Sequence, residues 1–365
     1  MDVVRSKLFS AALLSLFMAA SFAMAACYLP ETLSKTENPT LKSILKGTWT
    51  PEFEKNLNES LPVFNPSRNF WGRLEYSWFG EGRKGVIVGS NGWLFTEEEF
   101  SCIPHGDQNT QDNLDYIANV ADILKEKGIK LHVILVPAKA RVYKEYTGKH
   151  NVPHCRANLY NHIINSLTEK HIPVVELLTA FRESPQRDTL YLKTDTHWTT
   201  QGARMAAMLA AGQIETDDLK TTSYTTHQTK SNKHEGDLLR YIPGVRNNMI
   251  KPDDLMGYET QKDTNASSGE QDAASALFGE DVPPVTLVGT SYSANPKWHF
   301  EGFLKDSLDV EILNMADVGQ GPFTVMKKYL DGDTIKNTPP SLVIWEIPER
   351  YVPTRTGFLY DKDPS

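Results

Sequence analysis

Three short runs of almost uninterrupted apolar residues, LHVILV at 131–136, VTLV at 285–288 and LVIWEI at 342–347, constrain this chain more than any other feature. A strand that is apolar on both sides of its pleat has to be covered on both faces, which is the environment of a parallel sheet between helices. Helical periodicity runs through Leu114, Ile117, Val120, Ile123 and Leu124 over residues 107–128 and stops at Lys127-Gly128. Further helical patterns fall at 156–170, 298–308 and 322–330, and further strands at 173–177 and 310–313. With right-handed crossovers, this alternation predicts a doubly wound α/β fold. Upstream, the stretch from Gly85 reads as a hairpin that turns at Ser90-Asn91-Gly92.

An acid and an imidazole two residues apart, Asp195 and His197, sit in TDTHWTTQGA (194–203), just ahead of a small-residue helix expected at 201–211. In an extended or turning backbone, residues i and i+2 project to the same side, so Asp195 can hold one ring nitrogen of His197 and leave the other free. Such a pair needs only a hydroxyl or thiol to complete a nucleophilic triad, whose members occur in many chain orders. Ser291 in LVGTSYSANP is the best candidate, because the apolar run before it ends in Gly289 and the serine follows at the strand mouth. Open α/β sheets place their sites there. Serine alone is a poor nucleophile and requires a base and donors for the oxyanion. His197 fits the first role; the Ser291 N–H and Asn295 are candidates for the second. Each piece alone has a plainer reading, a surface turn for the Asp195/His197 pair and a helix cap for Ser291. Together they favour catalysis.

At the N-terminus, Arg5 and Lys7 precede an uncharged stretch at 8–26, and Ala23-Met24-Ala25 has the small residues of a secretory cleavage site. Residues 1–26 are expected to be a signal peptide or, if uncleaved, an anchor. Met24-Ala25-Ala26-Cys27 is a poorer, lipoprotein-like alternative. Residues 27–365 are expected to form a single domain with an N-terminal arm. Export would put Cys27, Cys102 and Cys155 in an oxidising compartment, where one disulfide with one cysteine left over is the simplest count. A Cys102–Cys155 pairing would close a loop worth about 4 kcal/mol in the chain-entropy model, but the connectivity cannot be read from sequence. None of the three has metal-ligand spacing, and no metal is expected.

With 40% hydrophobic and 23% charged residues, the composition is that of a soluble globular chain. The net charge of −8 becomes −9 without residues 1–26, which carry Arg5, Lys7 and Asp2. Nucleic acid is therefore not an expected partner, and a polyanionic substrate would need a local basic groove. The aromatic stretch at 68–82, with Trp71, Tyr76, Trp78 and Phe79, reads as a buried helix face in preference to an interfacial or carbohydrate-stacking surface. Polar residues dominate 221–280. Within them 265–275 reads as a mobile surface segment, whose Asn265-Ala266-Ser267 is a glycosylation acceptor only in a eukaryotic setting.

Several motifs in one order, GRKGVIVGSNGWLFTEEEF, VPAKARVY, TDTHWTTQGA, LVGTSYSANPKWHFEGFL, DVGQGPF and LVIWEIPERY, resemble the SGNH-hydrolase-like exopolysaccharide O-acetylation proteins of the AlgJ and AlgX type. The resemblance covers about residues 71–351. It implies a flavodoxin-like α/β/α sandwich with a mostly parallel sheet, Asp195 as the acid, His197 as the base and Ser291 as the serine that becomes acetylated. It implies work in the bacterial periplasm, free or peripheral on the inner membrane, on an anionic polysaccharide, most simply alginate. The implied partners are a membrane-bound O-acyltransferase of the AlgI type and other acetylation proteins. No cofactor is implied, and the acetyl donor stays open. Lys139, Arg141, Lys297 and Arg350 are candidates for a cationic groove facing the sugar, although Arg350 has Glu346 and Glu349 close by for an ion pair. Two rivals remain at this stage: an acetylesterase with the same triad, and a non-catalytic scaffold of a secretion complex.

Overall fold

The computed structural model describes residues 2–246, 249–263 and 282–360; the segment expected at 265–275, with Asn265, lies outside them. The strands are β1 (Val86–Val88), β2 (Leu94–Thr96), β3 (Lys130–Val136), β4 (Val174–Glu176), β5 (Tyr224–His234), β6 (Asp253–Lys262), β7 (Val285–Val288), β8 (Ile312–Asn314) and β9 (Leu342–Pro348). Five of them form one sheet in the order β4-β3-β9-β7-β8, every pair parallel. The last strand is threaded into the middle, so β9 pairs with β3 on one edge, Val133 opposite Trp345, and with β7 on the other, Val288 opposite Trp345. All residues of β7 and β9 are buried, as their apolar sequence requires.

Helices cover the sheet with the faces that the periodicity marks. Gly106–Glu126 turns Leu114, Ile117, Val120 and Leu124 inward and packs on β3. Leu159–Glu169 packs Ile163 and Leu167 near β4. Pro322–Asp331 lies on β7 and β9 through Val325, Met326 and Tyr329. Each such aliphatic side chain, fully buried, contributes on the order of 1.5–3 kcal/mol. The expected 156–170 helix is split into His154–Ala157 and Leu159–Glu169, and strand 310–313 begins two residues later, at Ile312. The hairpin forms as expected: β1 and β2 are antiparallel, and Asn91 and Gly92 both take positive φ (55° and 80°), the conformation a tight two-residue turn demands. Cys102 and Cys155 form a disulfide, with Cα atoms 5.9 Å apart, and Cys27 is free and exposed.

One element was not legible as such. Within the polar 221–280 stretch, β5 and β6 form a separate two-stranded antiparallel ribbon, with a register shift between Gln228 and Ser231. Most of its β5 residues are exposed, so no apolar alternation marks it.

The chain divides into two compact units, Met1–Phe79 with Pro243–Val245, and Gly80–Ile242 with Arg246–Ser365. All the strands lie in the second. The first contains a long helix, Asp2–Lys35, of which Phe9–Lys35 includes an 18-residue stretch with a mean hydropathy of 1.9 and is long and apolar enough to cross a membrane. A signal sequence meets the same description. The helices Trp49–Ser60 and Phe64–Leu74 follow. Here the expectation of a buried aromatic face is overturned: Phe70, Trp71, Trp78 and Phe79 are 58–76% exposed. They come as neighbouring pairs, and successive helical residues diverge by about 100°, so no single face can bury all four.

Candidate active site

Two chain segments bring the expected residues together at the carboxyl edge of the sheet. After β7, Gly289 and Thr290 lead into a single helical turn, Ser291–Ala294, for which the Thr290 side chain is the cap. Gly289 makes room for this turn, since a Cβ there would sit 2.6 Å from Glu346 Oε2 and 2.9 Å from Ser293 Oγ and would have to push both buried groups aside. From the loop before the helix Thr200–Ala211 come Asp195 and His197, and this helix is capped by Thr199, which accepts from Gly202 N–H.

The sequence-predicted triad is assembled. Ser291 Oγ lies 2.7 Å from His197 Nε2, and His197 Nδ1 lies 2.6 Å from Asp195 Oδ1. Asp195 is 2% exposed and also accepts the His197 N–H at 3.0 Å. Burial alone would raise its pKa, but hydrogen bonds from His197 and His234 outweigh burial and hold it well below the usual carboxylate range. An ionised Asp195 can only accept, so His197 carries its proton on Nδ1 and leaves Nε2 to receive the Ser291 hydroxyl. The Ser291 N–H lies in the first turn of its helix, where no intrahelical acceptor exists. Asn295 uses Oδ1 to accept the Lys297 N–H at 3.1 Å, which directs its carbonyl oxygen to the backbone and leaves its amide nitrogen as the possible donor.

Sequence reasoning missed four residues that build this site. His234, at the end of β5, places Nε2 2.8 Å from Asp195 Oδ2, and Asp237 donates its N–H to the same oxygen at 3.0 Å. Trp298 stacks on His197 with ring centroids 5.1 Å apart and donates from Nε1 to the Ser291 carbonyl. Beneath the nucleophile turn, Glu346 of β9 accepts from Thr290 N–H at 2.7 Å, Thr290 Oγ1 and Ser293 Oγ. Of these, only Trp298 and Glu346 fell in recognisable motifs, and nothing in the sequence tied His234 to a residue 39 positions earlier.

The four expected groove cations are not alike. Lys139 is buried, and its Nζ donates to the carbonyls of Leu94, Lys193 and Asp195 at 2.6–3.0 Å. Burial pulls its pKa down to about 8 against the pull of Glu99 and the neighbouring aspartates. Arg141 is paired with Glu349 and donates to the carbonyls of Arg156 and Ala157. Arg350 is buried; its Nε lies 3.2 Å from Glu98, and it donates to the Tyr292 hydroxyl at 3.1 Å. Its acidic partner is thus Glu98, not the expected Glu346 or Glu349. These three cations brace the loops around the site; Lys139 is enclosed, whereas Arg141 lines a surface pocket with Lys144 and Arg182 and, with Arg350, a smaller one beside Glu349. Lys297 is exposed.

Asp195, His197 and Asp237 also form a set whose ligand atoms lie within 4.8 Å of one another. A metal would have to displace the hydrogen bonds just described, and Asp237 is further engaged by the N–H and hydroxyl of Thr196. The donor set is better accounted for by the triad.

A Ser–His–Asp set on the carboxyl edge of a parallel sheet between helices is the arrangement of an SGNH-hydrolase-like domain. Residues 86–349 match the family described as "SGNH hydrolase-like domain, acetyltransferase AlgX", and the chain belongs to that family. A relative named "Probable alginate O-acetylase AlgJ", from Pseudomonas syringae pv. tomato, is 38% identical over 88% of this chain and 83% of its own length. The Pseudomonas aeruginosa protein of the same name is 35% identical over 85% of this chain and 81% of its own length. Among solved structures, the O-acetyltransferase domain of Pseudomonas putida AlgJ superposes with a TM-score of 0.68 at 36% identity, covering 77% of this chain and 96% of that one.

Proposed function

We propose that this protein transfers acetyl groups to hydroxyls of an exopolysaccharide, alginate, through an acetyl-serine intermediate on Ser291. The observation that carries the reading is the continuous hydrogen-bonded line Ser291 Oγ, His197 Nε2, His197 Nδ1, Asp195 Oδ1. Its relatives' names supply the acceptor polymer and the acyl group. In the first half-reaction Ser291 Oγ attacks the acetyl carbonyl of a donor while His197 Nε2 takes the hydroxyl proton and then passes it to the leaving group. The Ser291 N–H and Asn295 are assigned to the oxyanion. In the second half-reaction a sugar hydroxyl attacks the ester, gives its proton to His197, and Ser291 is released with that proton returned to Oγ.

An apolar N-terminal helix and a disulfide support export, so the site of action is assigned to the periplasm, at or near the inner membrane. There the donor side would be served by a membrane-bound O-acyltransferase of the AlgI type. No cofactor enters the scheme.

Transfer and hydrolysis share the acetyl-serine and differ in the second nucleophile. A bound hydroxyl can outcompete water through an effective molarity on the order of 10⁵ M. The test is to give purified protein a surrogate acetyl ester with and without uronic-acid oligosaccharides, and to follow the acetyl group by mass spectrometry. Transfer to the sugar is expected. Free acetate alone, at every concentration and for every uronic acid tried, would replace this reading by an acetylesterase.

A further inference from the structure

His234 and Asp253 face each other as the terminal rung of the β5–β6 ribbon, and both reach into the loop that carries Asp195. Asp253 accepts from the N–H groups of Lys193 and Thr194 at 3.0 and 3.1 Å and from the Thr194 hydroxyl at 2.8 Å. His234 goes one residue further, to Asp195 itself. The two oxygens of Asp195 are therefore divided: Oδ1 serves the N–H and Nδ1 of His197, and Oδ2 serves His234 Nε2 and the Asp237 N–H.

We propose that His234 is a positioning residue for the triad, donating from Nε2 to Asp195 Oδ2 so that the carboxylate plane is fixed with Oδ1 on His197 Nδ1. The inference rests on the triad reading above. An aspartate carboxylate rotates about a broad terminal torsion, so donors on one oxygen alone leave its plane loosely defined. The Asp237 N–H already gives the second oxygen one backbone donor, and His234 adds a second, side-chain donor to the same charged oxygen, which narrows the remaining freedom of the plane. His234 is suited to stay there, because its ring lies edge-on to Trp298, with centroids 5.4 Å apart, while Trp298 stacks on His197. The loop does not depend on His234 for its place, since Asp253 and Asp237 hold Thr194 and Thr196 independently. What His234 adds is a second donor on Oδ2, beside the Asp237 N–H, that tightens the orientation of one carboxylate.

The experiment uses full-length protein and a surrogate acetyl ester, comparing His234→Gln, His234→Asn, His234→Leu and Ser291→Ala. Glutamine carries an amide N–H at nearly the reach of imidazole Nε2, whereas asparagine falls about one bond short. The Leu and Asn variants are expected to lose about tenfold to a hundredfold in kcat with KM little changed, and the Gln variant to recover to within about threefold of the parent. Should the Leu variant fail to fold, the Gln and Asn pair decides alone. Asn and Leu variants that stay within about threefold of the parent, or a Gln variant no better than Asn, would overturn the assignment. Hydrolysis that survives in Ser291→Ala would sink the triad itself, whereas its loss there, beside unimpaired His234 variants, would sink only the role of His234.

Discussion

The backbone N–H of Thr290 donates to Glu346 at 2.7 Å, tying the residue before Ser291 to the adjacent strand β9. Glu346 is fully buried, and burial outweighs its hydrogen bonds to Thr290 and Ser293, raising its pKa to about 7 from an ordinary 4.5. Between those values the folded protein holds a proton that the unfolded chain has released. The stability from this group is therefore fully present below about 4.5 and is lost as pH rises through 7, at up to about 1.4 kcal/mol per pH unit. In Glu346→Gln the group no longer titrates. Urea unfolding midpoints of parent and variant, measured from pH 4.5 to 7.5, should diverge in the variant's favour as pH rises. Parallel curves would show that Glu346 does not change charge in this window.

Much of this was written in the sequence, for identifiable reasons. Strands β3, β7 and β9 are buried on both faces, so their runs had to be apolar, and Ser291 could be placed at a strand mouth because the run at 285–288 ends in Gly289. Asp195 and His197 were readable because they are neighbours. His234 was not: its strand is solvent-facing, its apolar pattern is absent, and its partner is distant in sequence. Lys139 misled for a related reason. A cation in a motif looks the same whether it meets a sugar or three backbone carbonyls, and only the folded loops around Leu94 and Lys193 decide between them.

Ser291→Ala removes the hydroxyl and leaves the Thr290 cap and the Glu346 bonds in place. Acetylation of polymer in a strain carrying only this variant should disappear, while thermal unfolding stays within about 1 kcal/mol of the parent. Polymer that is still acetylated would assign the nucleophile elsewhere.

Asp195→Asn meets a stricter geometry than the change suggests. Asp195 accepts from His197 on Oδ1 and from His234 and Asp237 on Oδ2. An amide can accept on one oxygen only, so its NH₂ must face a donor or force a ring into the other tautomer. A kcat loss of about ten-thousand-fold is expected, the size seen when a protease triad loses its orienting carboxylate this way. Surrogate-ester kinetics that change by no more than a few-fold would remove Asp195 from the line of catalysis.

The four cations divide into two experiments, because only Lys297 is exposed while Lys139 lies beneath the loops. Lys139→Met leaves the carbonyls of Leu94, Lys193 and Asp195 without their donor, and a buried unsatisfied polar group costs about 1–3 kcal/mol. Relief of the buried charge offsets part of that, so a net destabilisation of about 3 kcal/mol is expected in urea, with transfer and hydrolysis falling together as the folded fraction falls. Lys297→Ala should behave in the opposite way. Its unfolding should stay within about 0.5 kcal/mol of the parent, while transfer to an anionic oligosaccharide drops more than hydrolysis of the surrogate, by an amount that shrinks at high salt as surface attraction is screened. Equal losses of transfer and hydrolysis in Lys297→Ala, unchanged by salt, would show that this lysine does not meet the polymer.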